Sequence, residues 1–273
     1  MLFKKEKIGN MFFRASRIPG LILYYLRENH RHGHGIHSPF MFRFIREVLE
    51  VDAEREKFEQ IEYFRREVYH DPTPVIEVDP GAGSFGRPGQ SGIGRKARTS
   101  SLRPSTGRLL SRIVEDQQPE ICLELGTSVG LGSMYLALGA PETEVITIEG
   151  NSVLANAARI HAERLGFNNI KVIHGLFSEE LDKLETKGKM HMVVWLDGDH
   201  RGEALLENMK KLMDIAAPGS IVVVDDIRWS SSMYRAWKTI IREPGIPVSL
   251  DLWKMGILFL FNGLHKQHYQ VKF

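Results

Sequence analysis

The chain has 273 residues, 42% of them hydrophobic and 26% charged, a globular balance with room for one large α/β domain, an N-terminal appendage and a sizeable core. A net charge of +2 excludes a general polyanion binder, and no nucleic-acid reader motif is present. The single cysteine, Cys122, excludes an internal disulfide scaffold and fits a reducing compartment, so a cytoplasmic location is expected.

The N-terminal segment is basic: between Met1 and Arg46, nine lysines and arginines outweigh Glu6 and Glu28. From Phe12 to Leu26 aromatic and aliphatic residues alternate with these charges, a pattern for a helix packed on its own domain or on a dimer mate, or else lying on an anionic membrane surface. Ile18 to Leu26 is too short to span a bilayer and is broken by Pro19-Gly20. His30, His32, His34 and His37 follow. Their alternation with glycine fixes no tetrahedral geometry, so a loop near the site mouth is expected rather than zinc, with Pro39 preceding a helix. Phe40 to Arg66 reads as one or two amphipathic helices. Residues 1–70 are thus expected to form a helical arm, 71–105 a loop or lid, and 106–273 the ligand-binding domain.

Residues 71–105 are rich in Gly, Pro, Ser and Arg. VIEVDPGAGS, Val75 to Ser84, imitates a strand and glycine loop, but no helical periodicity follows it, so a mobile basic lid is expected. Arg95, Lys96, Arg98 and Arg103 are candidates to meet an anionic substrate; a solvated loop is the alternative.

The organising stretch is Ile121 to Gly150. An apolar run, Ile121 to Leu125, meets a loop carrying Gly126, Gly130 and Gly132, then a helix-compatible segment, then the strand EVITIE ending on Glu149. Glycines let backbone amides approach a ligand, and a carboxylate at the second strand tip can accept both ribose hydroxyls. The glycine spacing is not the dinucleotide G-x-G-x-x-G fingerprint, and Glu124 beside the loop would repel a pyrophosphate. The same carboxylate suits the cationic amino group of S-adenosylmethionine. Beyond Glu149, helices and strands alternate through Asn151–Gly166, Asn169–Gly175, Met190–His200 and Ile221–Asp226, which specifies a doubly wound, mostly parallel sheet. The tail from Val248 reads as terminal strands, some antiparallel.

Three strand ends carry acids: Glu149, then Asp197-Gly198-Asp199-His200, then Asp225-Asp226. Like charges in one crevice need a compensating cation, and Asp197, Asp225 and Asp226 offer hard oxygen ligands for Mg²⁺. Trp195, Trp229 and Trp237 are candidates to wall a ring-shaped acceptor or to fill the core.

The run RPSTGRLLSRIVEDQQPEICLELGTSVGLGSMYLA, with VITIEGN, GLFSEEL, MVVWLDGDH and GSIVVVDDIRW, resembles class I S-adenosylmethionine-dependent methyltransferases, in particular the catechol O-methyltransferase type and the macrolide and aminocoumarin sugar O-methyltransferases. The resemblance covers about Arg103 to Trp229; HGIHSPF, DDIRWS and the C-terminal region also resemble a group of bacterial methyltransferase-like proteins. It implies a Rossmann-like fold in which Gly126, Thr127, Ser128 and Gly130 cradle the methionine part, Glu149 and Gly150 hold the ribose, Ser178 lies near the adenine, and Asp197 and Glu124 complete the cofactor site. Asp197, Asp225 and Asp226 would bind Mg²⁺, and Asp199 or His200 would be the base. The function implied is Mg²⁺-assisted O-methylation of a small-molecule hydroxyl. The alternatives are a metal-independent N- or O-methyltransferase relying on His200, and a non-catalytic scaffold that uses its basic arm.

Overall fold

A computed structural model describes residues 20–22, 24, 36–51, 55–75, 91–185 and 188–273. Strands that are apolar at nearly every position need cover on both faces, and three mutually parallel runs answer to this: β3 (Ile121–Leu125), β6 (Met192–Leu196) and β7 (Ser220–Val224), each buried along its whole length. They form the centre of an eight-stranded sheet in the order β10-β8-β9-β7-β6-β3-β4-β5, completed by β4 (Glu144–Glu149), β5 (Ile170–His174), β8 (Val248–Asp251), β9 (Gly256–Leu260) and β10 (Gln267–Gln270). From β3 the chain winds out to β4 and β5, then returns to place β6 on the other side of β3 and β7 beyond it, all in parallel. The direction of winding reverses between β3 and β6, which opens a crevice beyond their carboxyl ends. β9 alone runs against its neighbours, antiparallel to both β7 and β8.

Alternate residues feed two hydrophobic layers. Cys122, Val193, Trp195, Val223 and Phe259 face one way, towards α4 (Pro104–Gln117), α5 (Leu131–Gly139) and the N-terminal helices. Leu123, Val194, Val222 and Leu258 face the other, towards α8 (Gly202–Ile215) and α9 (Ser231–Ile240), with α6 (Ser152–Arg164) and α7 (Phe177–Glu185) completing the layers. Helix α9, not anticipated from the sequence, is capped by the Ser230 side chain, which accepts from Met233 N–H at 3.2 Å.

The N-terminal helices share this core rather than standing apart as an arm. In α1 (Pro39–Phe44), started by Ser38 and Pro39 and continued as a π-turn over Ile45–Leu49, the Phe44 ring meets Phe259 edge-on at 4.9 Å. A 3-10 turn, Arg55–Phe58, leads into α2 (Glu59–Val68), where Arg65 ties Glu62 at 3.0 Å and the Leu102 carbonyl at 2.8 Å. Tyr24 is buried, its hydroxyl donating to the carbonyls of Asp251 and Val271 at 3.0 and 2.5 Å. That part of the segment packs on its own domain. His30, His32, His34 and the basic residues before Gly20 lie outside the described residues; His37 is exposed.

The expectation of a structureless lid is corrected over its second half. β1 (Pro74–Val75) pairs with β2 (Ser91–Gly92), and α3 (Ile93–Ser100) follows, burying Ile93, Gly94 and Ala97. Its apolar face amounts to three residues, one of them glycine, which is too little for a periodicity to register. Residues 76–90, which hold the rest of the VIEVDPGAGS motif, lie outside the described residues. Among the described residues no helix is long and apolar enough to cross a membrane.

Candidate active site

At the end of β3 the chain must turn across the tip of β6. Gly126 does so at φ +106°, where a Cβ would stand 2.6 Å from the Gly198 nitrogen and 2.8 Å from the Asp197 carbonyl carbon, so only glycine lets these two tips meet. Its N–H donates to the Ile148 carbonyl at 3.0 Å. Ser128 follows at φ +49° and gives its N–H to Glu149 Oε2 at 2.8 Å, while Asn151 N–H binds Oε1 at 2.9 Å. The carboxylate at the tip of β4 is thereby fastened against the glycine loop. Gly150, beside it, is half-buried. Gly130 (φ +92°) opens α5. Ser128 Oγ is buried without a hydrogen-bond partner among the described residues, a polar atom that a ligand in the loop would satisfy.

Glu124 does not stand where the sequence suggested. Only 1% exposed, it lies under α5, accepting hydroxyl donations from Ser133 and, at 2.6 Å, from Thr147. A Cβ on Gly132 would fall 2.0 Å from its Oε1, so this second glycine is what makes room for the acid. Thr127, also buried, lies 2.5 Å from Thr147 and links the loop to it. Burial pushes the Glu124 carboxyl up to about 7, with the neighbouring Glu149 adding to the rise and the two hydroxyls opposing it. The expectation of a carboxylate open to a cationic amino group is therefore corrected: Glu124 supports the loop from below.

The remaining acids gather beyond β6 and β7. The Asp197 side chain is 14% exposed. Burial, and then the fields of Asp225 and Asp226, push it well above the usual carboxylate range. Asp225 is buried; its Oδ1 has no hydrogen-bond partner among the described residues, and its Oδ2 receives Lys254 Nζ at 3.3 Å. The same ammonium lies 3.7 Å from Asp226 Oδ1. Burial opposes the charged form of Lys254, and the carboxylates of Asp225, Asp226 and Asp197 outweigh it, holding the lysine above its ordinary range. His200 Nε2 stands 4.0 Å from both Asp197 Oδ1 and Asp226 Oδ2, with its ring 5.6 Å from that of Trp229. Asp199, at φ +38°, is turned away into a two-pronged pair with Arg201 at 2.7 and 2.5 Å. Of the two candidate bases, His200 faces the acidic cluster and Asp199 faces its arginine.

Ser178 is exposed on the first turn of α7, next to Phe177, whose ring packs against Gly198; the Ser178 carbonyl accepts from Lys211 at 3.1 Å. Trp195 and Trp237 are fully buried, which corrects their candidacy as walls of an acceptor site: both fill the core, and Trp229 alone of the three borders His200. Lys254 was missed by sequence reasoning. So was Arg228, whose guanidinium is buried in a fork on Asp251 at 2.7 and 2.6 Å between the rings of Trp253 and Tyr234. The DDIRW motif held a signal for Arg228, an arginine two residues beyond a strand-tip acid pair; nothing around Lys254 did.

Residues 123–227 match a family model described as a methyltransferase domain. Over 150 residues the chain is 32% identical to the "Probable O-methyltransferase Rv1703c" of Mycobacterium tuberculosis, a match covering 52% of this chain and 64% of that one, so the chain spans less than two thirds of this relative. Among solved structures, the O-methyltransferase from Bacillus cereus in complex with SAH is similar at a TM-score of 0.55 and 17% identity, over 79% of this chain and 94% of that one. TomG of Streptomyces achromogenes, an O-methyltransferase involved in tomaymycin synthesis and solved with SAM, is similar at 0.52 and 18%, over 60% and 82%. The fold is thus the one shared with class I methyltransferases.

Proposed function

We propose that the protein transfers a methyl group from S-adenosylmethionine to a hydroxyl oxygen of a small molecule. The observation that supports this reading best is the seat of Glu149, fastened by Ser128 N–H and Asn151 N–H over a glycine turn at the point where the sheet reverses its winding. The match to a methyltransferase domain and the likeness to an O-methyltransferase support the reaction class. The residues fit the cofactor: Gly126, Thr127, Ser128 and Gly130 would cradle its methionine part, with the unpartnered Ser128 Oγ as a ready donor. Glu149 and Gly150 would hold the ribose, Ser178 would lie near the adenine, and Asp197 would close the site from β6.

When bound, S-adenosylmethionine would supply an electrophilic sulfonium methyl for an acceptor oxygen, with the neutral thioether as the leaving group. The chain has then to align the acceptor and take its proton. His200 receives that proton at Nε2, and Asp226, 4.0 Å away, stabilises the imidazolium that results. Asp199 is committed to Arg201 and does not serve. Trp229 provides an aromatic wall beside His200.

Mg²⁺, the cation expected from the sequence, does not fit the side chains as they stand. Lys254 already reaches Asp225 and Asp226, and among the described residues no group of three or more His, Cys, Asp or Glu is placed to hold a metal ion. A cytoplasmic location belongs to the same reading, with Cys122 a buried thiol pushed up to about 12 by burial and hence inert. The packing of Tyr24 on Asp251 and Val271 supports a segment packed, at this residue, on its own domain.

Calorimetric titration with S-adenosylmethionine tests the reading. Wild type binds, and Glu149→Ala loses about tenfold or more in affinity, roughly 1.4 kcal/mol; equal affinity in the two proteins would remove the ribose contact and the reading with it.

A further inference from the structure

In a wholly parallel sheet only carboxyl ends reach the crevice, but the antiparallel β9 brings an amino end there. Its first residue, Gly256, pairs with Val224, the last of β7. Lys254, two residues earlier, is therefore level with Asp225 and Asp226, which follow Val224. The turn that presents it is fixed on every side. Lys254 N–H donates to the Leu252 carbonyl at 2.9 Å, and Ile227 N–H, from the loop after Asp226, donates to the Lys254 carbonyl at 3.0 Å. Trp253 sits at φ +68° with its N–H on Asp251 Oδ1 at 2.9 Å. Arg228 closes the frame, adding to its fork on Asp251 a bond to the Trp253 carbonyl at 2.8 Å. One buried arginine thus joins the loop that carries the two aspartates to the turn that carries the lysine.

We propose that Lys254 is the resident cation of this crevice, its ammonium holding the place beside Asp225 and Asp226 that a divalent ion would otherwise take, so that the enzyme works without a metal. The side chain is 37% exposed, so its N–H groups are open to an acceptor oxygen that becomes negative as its proton leaves for His200. An ammonium fixed at 3.3 and 3.7 Å from two carboxylates also lowers their joint field on any incoming cation, because a like charge at that range opposes entry. The catalytic consequence rests on the methyltransferase reading; the electrostatic claim does not.

Binding of Mn²⁺ to the full chain, followed by the loss of the free-ion paramagnetic resonance signal, tests the claim without an acceptor. Wild type and Lys254→Arg are expected to bind Mn²⁺ no tighter than the millimolar range. Lys254→Met is expected to bind it about tenfold tighter or more, since its carboxylates lose their counter-charge, and adding Asp225→Asn to it abolishes the gain. Micromolar binding by wild type overturns the proposal on its own, whether or not the methionine variant folds; so does an unchanged affinity in a folded Lys254→Met. Calorimetry with S-adenosylmethionine on the same samples keeps the two claims apart. Wild type that fails to bind it sinks the methyltransferase reading, while the Mn²⁺ result still decides the role of Lys254.

Discussion

Replacing Glu124 by Gln isolates the electrostatics of the cofactor loop from its shape. Glutamine can accept from Ser133 and Thr147 as the carboxylate does, and it fits the space that Gly132 leaves, but it cannot ionise. In the folded wild type, burial raises the carboxyl from 4.5 to about 7. A carboxyl raised on folding binds its proton more tightly in the native state. Its contribution to stability is therefore complete below about pH 4.5 and lost as pH climbs through about 7. At ~1.4 kcal/mol per pH unit, that interval amounts to about 3 kcal/mol of stability surrendered by wild type and kept by the variant. Urea unfolding of both proteins, free of ligand, at about pH 5 and about pH 8 measures it. The stability difference should move in favour of Glu124→Gln by about 2 to 3 kcal/mol between those conditions. Any pH-independent effect of the substitution cancels in the comparison. A difference that stays constant within about 0.5 kcal/mol would mean that Glu124 is hydrated or compensated in the native state, and the account of a buried acid beneath the loop would be refuted.

Two further outcomes follow from the same geometry. Arg228→Met leaves the Asp251 carboxylate buried and unpaired, and should cost about 3–5 kcal/mol in chemical denaturation; pairing it with Asp251→Leu should return much of that loss, whereas a single-variant cost under about 1 kcal/mol would show that the fork holds nothing together. Once an acceptor hydroxyl is in hand, His200→Gln should lower kcat by about 10²-fold or more with S-adenosylmethionine affinity retained, while Asp199→Asn, which only loosens the pairing with Arg201, should leave most of it; the reverse order would move the proton to Asp199.

How much of this was legible in the sequence depends on whether the relevant signal is local. The runs at 121–125, 192–196 and 220–224 are unbroken apolar strands bounded by turns, so their parallel stacking and the acids at their tips could be read directly. Glu149 was found because a strand-end carboxylate after a glycine loop is itself a pattern. Glu124 was found but misplaced. It sits one residue short of the strand's end and shares the parity of Cys122, whose layer is sealed by α4 and α5; that parity argued for burial, and the attraction of a loop-side acid for a cationic ligand was given priority over it. Helix α3 escaped because eight residues with only Ile93, Gly94 and Ala97 buried carry no apolar period.

Lys254 is a different case. Asp225 and Asp226 announce a need for positive charge, and a divalent ion is the answer that a parallel sheet suggests, since such a sheet offers only strand tips to its crevice. The reversal of β9 changes the supply. It costs the chain one antiparallel insertion next to β7 and brings the residues before that strand, here Trp253 and Lys254, to the same height as the acids. Whether a lysine 29 positions from Asp225 meets it is thus decided by strand direction, which apolar periodicity does not encode. The demand for a cation was written in the sequence; the residue that meets it was settled by topology, and the buried clamp of Arg228 on Asp251 and the Trp253 carbonyl ties the loop of the acids to the turn of the lysine.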